Sequence, residues 1–308
     1  MATATRGCVW AEHPPVDEGH RRMVQQVNAA VAEADAGPAA GVLPPARVPR
    51  VDISCFVHPE RASSADRDAV VDQVLAASQH AGFVNIVGHG VPQSVVDGVL
   101  AASAAFFQSP MEEKQRCIAK SGPGVLRGYV PYRNESINAV LGRVGPADLR
   151  ESYSFGPPDH MGGSAYGTNT YPDFIADFSH HVDYYYAEMR RVEIVMLESG
   201  DDNGYQWQSV PVVPGAFTVN IGDMLARWSN DCFASSLHRV NANVNCDAPR
   251  HSILYFSTSV LPLYPNSDPK VECICRHGEQ PKYEPLSVGE YLHHILSRLQ
   301  APACRVDS

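Results

Sequence analysis

Three residues in the C-terminal half of this 308-residue chain have types and spacing that could do chemistry. His238 lies in Leu237-His238-Arg239-Val240, and twelve residues later comes Arg250-His251-Ser252, leading into the apolar run Ile253-Leu254-Tyr255-Phe256. A neutral imidazole presented from a strand is a good ligand for iron. Residues two apart on a strand face the same way, so Arg250 and Ser252 offer a guanidinium fork and a hydroxyl side by side, a pair suited to a carboxylate. A single strand histidine or a single Arg-x-Ser triplet is equally at home in plain structure. The elements that would position them therefore matter.

Those elements change character along the chain. Residues 1–47 read as a leader, with one helix from about 18 to 34 and an Ala/Pro/Gly-rich linker over 36–46. Val51-Asp52-Ile53 is a short strand, followed by a helix over 64–81 that places Val70, Val71, Val74 and Leu75 on one face, with Ser64 as its N-cap. Phe83-Val84-Asn85-Ile86-Val87 is an apolar strand, turned by Gly88-His89-Gly90-Val91-Pro92. Helices follow over about 92–108 and from Pro110 onward, and apolar residues at helical spacing predict one long helix over about 171–197. The aromatic run Tyr184-Tyr185-Tyr186 reads as helix packing with a wet edge. Beyond Gln206 the period shifts toward two. Strands are expected over 206–210, 216–221, 236–240, 252–257 and 271–275, bounded by turn residues, and a helix over 287–299 closes the chain.

Taken in order, these motifs resemble the iron(II)/2-oxoglutarate-dependent oxygenases of the isopenicillin N synthase-like group. The resemblance is carried by Val48-Pro49-Arg50-Val51-Asp52-Ile53, Gly82-Phe83, His89-Gly90-Val91, Phe106-Phe107, Glu112-Glu113-Lys114 and Arg127-Gly128-Tyr129. It continues through the run from Pro214 to Leu225, Trp228-Ser229-Asn230, Leu237-His238-Arg239-Val240, Lys282-Tyr283-Glu284-Pro285 and Gly289-Glu290-Tyr291-Leu292. It implies an α+β fold with a double-stranded β-helix core of jelly-roll type, flanked by N-terminal helices and a C-terminal helix. By the same resemblance His238 matches an iron ligand, and Arg250 and Ser252 match the pair that holds the distal carboxylate of 2-oxoglutarate. Fe(II) and 2-oxoglutarate are the implied cofactors, and oxidation of a small organic substrate coupled to 2-oxoglutarate decarboxylation is the implied reaction.

One part of the pattern is missing. The family's other two ligands, a His-x-Asp pair, belong between the long helix and the Pro214 strand, yet no histidine occurs between His181 and His238. Met196-Leu197-Glu198 runs directly through Ser199-Gly200-Asp201-Asp202-Asn203-Gly204 into Tyr205-Gln206-Trp207. The literal match His181-Val182-Asp183 lies inside the long helix, where positions two apart diverge by about 200° around the axis. Asp201, Asp202 and Asp223 are spare carboxylates, Asp223 reading as a turn residue, and nothing marks Cys232 as a ligand. The β-helix is therefore expected to be incomplete and the site to hold one iron ligand, with no catalytic residue assigned. Three readings stand: a 2-oxoglutarate oxygenase impaired by loss of an internal segment, a non-catalytic pseudo-enzyme that binds 2-oxoglutarate or another carboxylate, or a working oxygenase with replacement ligands from a rearranged fold or a second subunit. Extra sequence at the 197–207 join would favour the first.

Composition sets outer limits. The formal charge of −10 without a basic cluster argues against a nucleic-acid partner and leaves a small molecule as the expected one. Eight cysteines without a CxxC pair fit reduced thiols, and no apolar stretch approaches a membrane span. A cytoplasmic protein is expected. Its organisation is read as a leader (1–47), an N-terminal helical region (48–197), the C-terminal part of the core (198–299) and a tail (300–308).

Overall fold

A computed structural model describes residues 21, 25, 28–29, 47–118, 127–140, 145–158, 168–193, 209–236, 238, 250–257, 270–276 and 278–299. The class is α+β. The first strand, β1 (Arg50–Asp52), runs parallel to β2 (Phe83–Val87), and β2 runs antiparallel to β5 (Phe217–Asn220). Asn85 is the register point: it lies opposite Arg50 on one side and Thr218 on the other, and its buried amide oxygen accepts a 2.8 Å hydrogen bond from Thr218 Oγ1. A polar residue in the middle of an apolar strand is tolerated there because it is paired. A second sheet pairs β3 (Gly128–Val130) with β4 (Ser152–Ser154).

The helices that cover these sheets follow the sequence periodicity closely. After the short α1 (Ser54–Val57) comes α2 (Ser64–His80), whose apolar face meets the first sheet through Val74 and Ala77. Its cap is Ser63 rather than Ser64. The Asp66 amide donates to Ser63 Oγ (3.2 Å) and the Ser63 amide to Asp66 Oδ2 (2.8 Å), a reciprocal pair that needs an acceptor three residues on. Counting three from Ser64 reaches Arg67, which cannot serve. Helices α3 (Gln93–Gln108), α4 (Met111–Arg116) and α5 (Ile137–Val140) follow. The long helix expected over about 171–197 begins only at Phe178, because Asp177 sits in the left-handed region (φ 55°) and interrupts it. It forms α6 (Phe178–Glu193), packed against α3. At their crossing a Cβ on Gly98 would sit 2.5 Å from His181 Nδ1, so glycine is what lets the two helices approach. Phe106 is the centre of this core, fully buried, with the rings of Tyr129, Tyr153 and Phe178 packed around it.

The C-terminal part forms a smaller unit around α7 (Asp223–Trp228) and α8 (Val288–Leu299). Asn230 and Asp231 follow α7 in the left-handed region (φ 58° and 63°), a conformation that costs energy for a residue with a Cβ. Their side chains offset it. Asn230 Oδ1 accepts the Lys282 amide (2.8 Å), Asp231 Oδ1 accepts the Tyr283 hydroxyl (2.6 Å), and Arg227 lies over the Tyr283 ring. Ser287 caps α8 through a reciprocal pair with Glu290.

Of the five strands expected beyond Gln206, among the described residues only 216–221 forms one, trimmed to β5. The 271–275 run contributes a single bridge, Val271 to Leu286. The 252–257 run joins neither described sheet. Most of 206–210 and 236–240 lies outside the described residues, as do the 197–207 join and most of the leader helix. A β-prone run becomes a strand only when a partner completes its hydrogen-bond ladder, so sequence pattern alone overcounts them.

Candidate functional site

The segment that carries His238 is fastened at several points. Beyond α7, Ser235 Oγ donates to Asp223 Oδ1 (2.7 Å), the Ala234 amide to Ser78 O (3.3 Å), and Ser236 Oγ to Ala81 O (2.7 Å). These last two satisfy carbonyls at the C-terminal end of α2 that no helical amide can reach. The His238 ring then sits edge-on to Phe83, centroids 5.8 Å apart, with Nδ1 3.2 Å from Ser236 O. If Nδ1 carries the proton for that contact, Nε2 is the nitrogen left with a lone pair. The imidazole is exposed.

Arg250 and Ser252 fall on one face, as their spacing requires, but that face is exposed. Burial alternates from residue to residue. His251 lies 6.0 Å from the Phe107 ring, Ile253 packs on the main core, and the Tyr255 ring meets Tyr186 at 5.6 Å. Ser252, Leu254 and Phe256 look outward with Arg250. A guanidinium, a hydroxyl and two large apolar side chains thus share a face that has water in front of it.

The other candidates from sequence do not assemble around His238. Asp223 has both carboxylate oxygens engaged, one by Ser235 and the other by the Tyr291 hydroxyl at 2.9 Å. It is a brace between α7 and α8 rather than a turn residue. In α6, Asp183 accepts the Tyr171 hydroxyl at 2.5 Å while His181 lies against Gly98, so His181 and Asp183 serve separate structural contacts. Cys232 Sγ accepts from Arg276 Nη2. Asp201 and Asp202 lie outside the described residues. Among the described residues no three His, Cys, Asp or Glu side chains come together as a metal site. That donor set does not fit Fe(II), whose selective binding rests on ligand number and geometry.

Two polar clusters were not legible as such from sequence. Lys114 is buried, with Nζ 2.9 and 3.2 Å from the two oxygens of Glu151 and lying over the Tyr129 ring, while the Tyr129 hydroxyl donates to Glu151 Oε2 at 2.5 Å. Burial and the neighbouring carboxylate push the Tyr129 phenol well up, so it stays protonated and donating. The second cluster centres on His89. Its ring stacks on Phe217 (4.2 Å), Nδ1 accepts the Val91 amide (3.1 Å), and Nε2 therefore donates to Gly215 O (3.3 Å).

Desolvation holds the His89 pKa below the usual imidazole value, partly offset by the Gly215 contact. The neutral form is the one that fits, so the unfolded chain takes up the proton first as pH falls. The stability this group contributes is complete above about 6.5 and is lost as pH drops below that toward its lowered folded value. Unfolding by urea at pH 7.5 and 5.5 should show a larger acid loss for the native chain than for His89→Phe, which keeps the stack but cannot protonate. Equal losses would remove His89 from the account.

Comparisons with known proteins bear on the whole arrangement. The family described as "non-haem dioxygenase in morphine synthesis N-terminal" matches residues 48–174, and the "2OG-Fe(II) oxygenase superfamily" matches residues 176–259. A 2-oxoglutarate-Fe(II) type oxidoreductase of Emericella nidulans is 26% identical over 323 residues, covering 79% of this chain and 88% of its own. A homoarginine-6-hydroxylase of Oryza sativa is 25% identical over 326 residues, covering 80% and 95%. Among solved structures, a full-length Neurospora crassa protein in complex with alpha-KG and thymine superposes with a TM-score of 0.60 at 20% identity, covering 84% of this chain and 98% of the other. Since 79% of 308 residues is about 243, roughly 80 of the 323 positions aligned with the Emericella protein face gaps in this chain. With the rice enzyme the shortfall is the same, about 246 residues against 326 positions.

Proposed function

Because the chain belongs to the 2OG-Fe(II) oxygenase superfamily, whose cofactors are Fe(II) and 2-oxoglutarate, we propose that it is a small-molecule oxygenase that has lost its internal His-x-Asp segment. Without that segment it binds a 2-oxoglutarate-like carboxylate and oxidises nothing. The observation that carries this is the exposed face of 250–256. Arg250, Ser252, Leu254 and Phe256 stand together as residues of a jelly-roll interior would, yet they meet solvent. Gaps of about 80 aligned positions against two relatives, together with the absence of any histidine between His181 and His238, support an opened core in which the facing strands are lacking.

Chemically, the surviving half can bind but not activate. His238 offers one nitrogen, and one imidazole cannot hold Fe(II) against water and competing ligands. Arg250 can still engage a carboxylate through its fork, with Ser252 donating from the same face. In open water such contacts are worth only about 1 kcal/mol each, so a dissociation constant on the order of 10–100 mM is expected. Net charge −10 disfavours nucleic acid, and no helix among the described residues is long and apolar enough to cross a membrane.

The experiment combines turnover and binding. Purified chain with Fe(II), ascorbate and 2-oxoglutarate should release no succinate above the protein-free blank. Calorimetry should give weak 2-oxoglutarate binding that is unchanged by Mn(II) and abolished in Arg250→Ala. Succinate in proportion to the chain, or a metal-dependent gain in affinity, would overturn the proposal.

A further inference from the structure

We propose that Cys273 and Cys275 form a redox-sensitive dithiol, which a peroxide or a glutathione-type disulfide closes into an intrachain disulfide that loosens the C-terminal unit. Both thiols are free and only partly buried, so a small oxidant can reach them. Burial alternates along 270–276, with 271, 273 and 275 turned inward and 272, 274 and 276 outward. The two cysteines therefore share a face. Cys275 Sγ leans back along the run and donates to Cys273 O at 3.8 Å. Two residues of extended chain span about 6.6 Å, inside the Cα separation of up to about 6.8 Å that a disulfide tolerates. A local bend of the backbone is enough to close the pair.

The third thiol of this unit faces elsewhere. Cys232 Sγ is engaged by the guanidinium of Arg276, which lies on the outward face. Burial, the Cys273 thiol beside it and Glu279 hold the Cys275 pKa above the usual thiol value. A thiol that resists ionisation is a slow nucleophile and a poor leaving group, so closure is slow at neutral pH and slow to reverse. With hydrogen peroxide, one thiolate sulfur takes an oxygen and becomes a sulfenic acid, releasing hydroxide. The second thiol then attacks that sulfur, and its proton leaves with the hydroxyl as water. Two thiols and one peroxide give one disulfide and two waters.

Closure disturbs contacts that hold the unit together. Cys273 Sγ donates to Arg227 O (3.4 Å) and Tyr283 O (3.5 Å), and a disulfide sulfur has no proton to give. The bend falls on Ile274, whose amide donates to Trp228 O at 2.6 Å. Both effects meet at the C-terminal end of α7.

Neither iron nor 2-oxoglutarate enters this inference, so it stands or falls apart from the oxygenase reading. Trypsin releases 271–276 as one peptide and Cys232 in another, 228–239. The reduced full-length chain is treated with hydrogen peroxide, and in parallel with oxidised glutathione, and its remaining thiols are then alkylated. Peptide 271–276 should lose two hydrogens and take no alkyl group, faster at about pH 9 than at about pH 7, and dithiothreitol should reverse it. Amide exchange at 271–276 and at the end of α7 should quicken on oxidation. C273S and C275S should show neither change, and C232S should show both. Peptide mapping of the native chain does not depend on any variant folding. A 271–276 peptide that keeps both thiols while others oxidise overturns the proposal, as does a crosslink between 228–239 and 271–276. A disulfide that leaves exchange unchanged, or a loss of closure in C232S, overturns it too.

Discussion

Lys114→Ala is expected to destabilise the chain by about 3 kcal/mol, whereas Lys114→Met paired with Glu151→Leu should recover most of that loss. The asymmetry comes from desolvation. Lys114 has given up water for two oxygens of Glu151, the Phe107 carbonyl at 3.3 Å and the face of Tyr129. Removing the ammonium alone leaves the Glu151 carboxylate partly buried, with the Tyr129 hydroxyl still donating to it. Replacing both charges with apolar groups of similar length removes the desolvation cost together with the attraction. Glu151 is about a quarter exposed, so the single-variant loss falls at the lower end for a buried pair. Denaturant midpoints for Lys114→Met, Glu151→Leu and the double close the cycle, and Lys114→Ala is measured beside them. A Lys114→Ala loss under about 1 kcal/mol would mean that the pair behaves as a surface contact.

That cluster also marks a limit of reading a sequence. Helical spacing identifies α4, and the resemblance picks out Glu112-Glu113-Lys114, but nothing local says that Lys114 points inward while Glu113 pairs with Arg116 at the surface. Its partner is 37 residues away on the edge of β4, and only the β3–β4 pairing brings the two together. His89 and Gly215, 126 residues apart, meet for the same kind of reason, the register of β2 against β5. Elements defined by their own periodicity, such as β2, α3 and α8, were legible nearly to the residue. Those defined by a partner were not: the runs over 252–257 and 271–275 form no strand among the described residues because pattern records only the capacity to pair.

The candidate site divides the same way. That Arg250 and Ser252 share a face follows from their spacing, and the structure has them both exposed. Which way the face looks depends on what lies in front of it, and no local pattern carries that. That no histidine occurs between His181 and His238, by contrast, is a plain fact of the sequence. Joined to the outward face, it turns a resemblance into a specific expectation about chemistry: carboxylate recognition can outlast metal binding, because the first needs one face and the second needs several to converge.

Gly82→Ala should cost about 2–4 kcal/mol and loosen the His238 segment, while Gly215→Ala should cost only about 1 kcal/mol. Both glycines have positive φ, 64° and 71°, so both variants carry the left-handed penalty of a Cβ. They differ in what the Cβ meets. At Gly215 nothing lies within 4 Å, but at Gly82 it would fall 2.2 Å from the backbone oxygen of Ala234. A backbone atom cannot swing aside as a side chain can. Residues 234–236 must then back away from the end of α2, straining the Ala234–Ser78 and Ser236–Ala81 contacts that hold the approach to His238. Gly82 itself ends α2 as a left-handed cap, its amide donating to Ala77 O at 3.2 Å, so the helix terminus loosens with it. Urea midpoints rank the two variants, and amide exchange localises the damage. Faster exchange at 233–236 in Gly82→Ala but not in Gly215→Ala is the expected pattern. Equal costs would mean that backbone conformation alone sets the effect, and that the end of α2 does not fasten the segment that leads to the histidine.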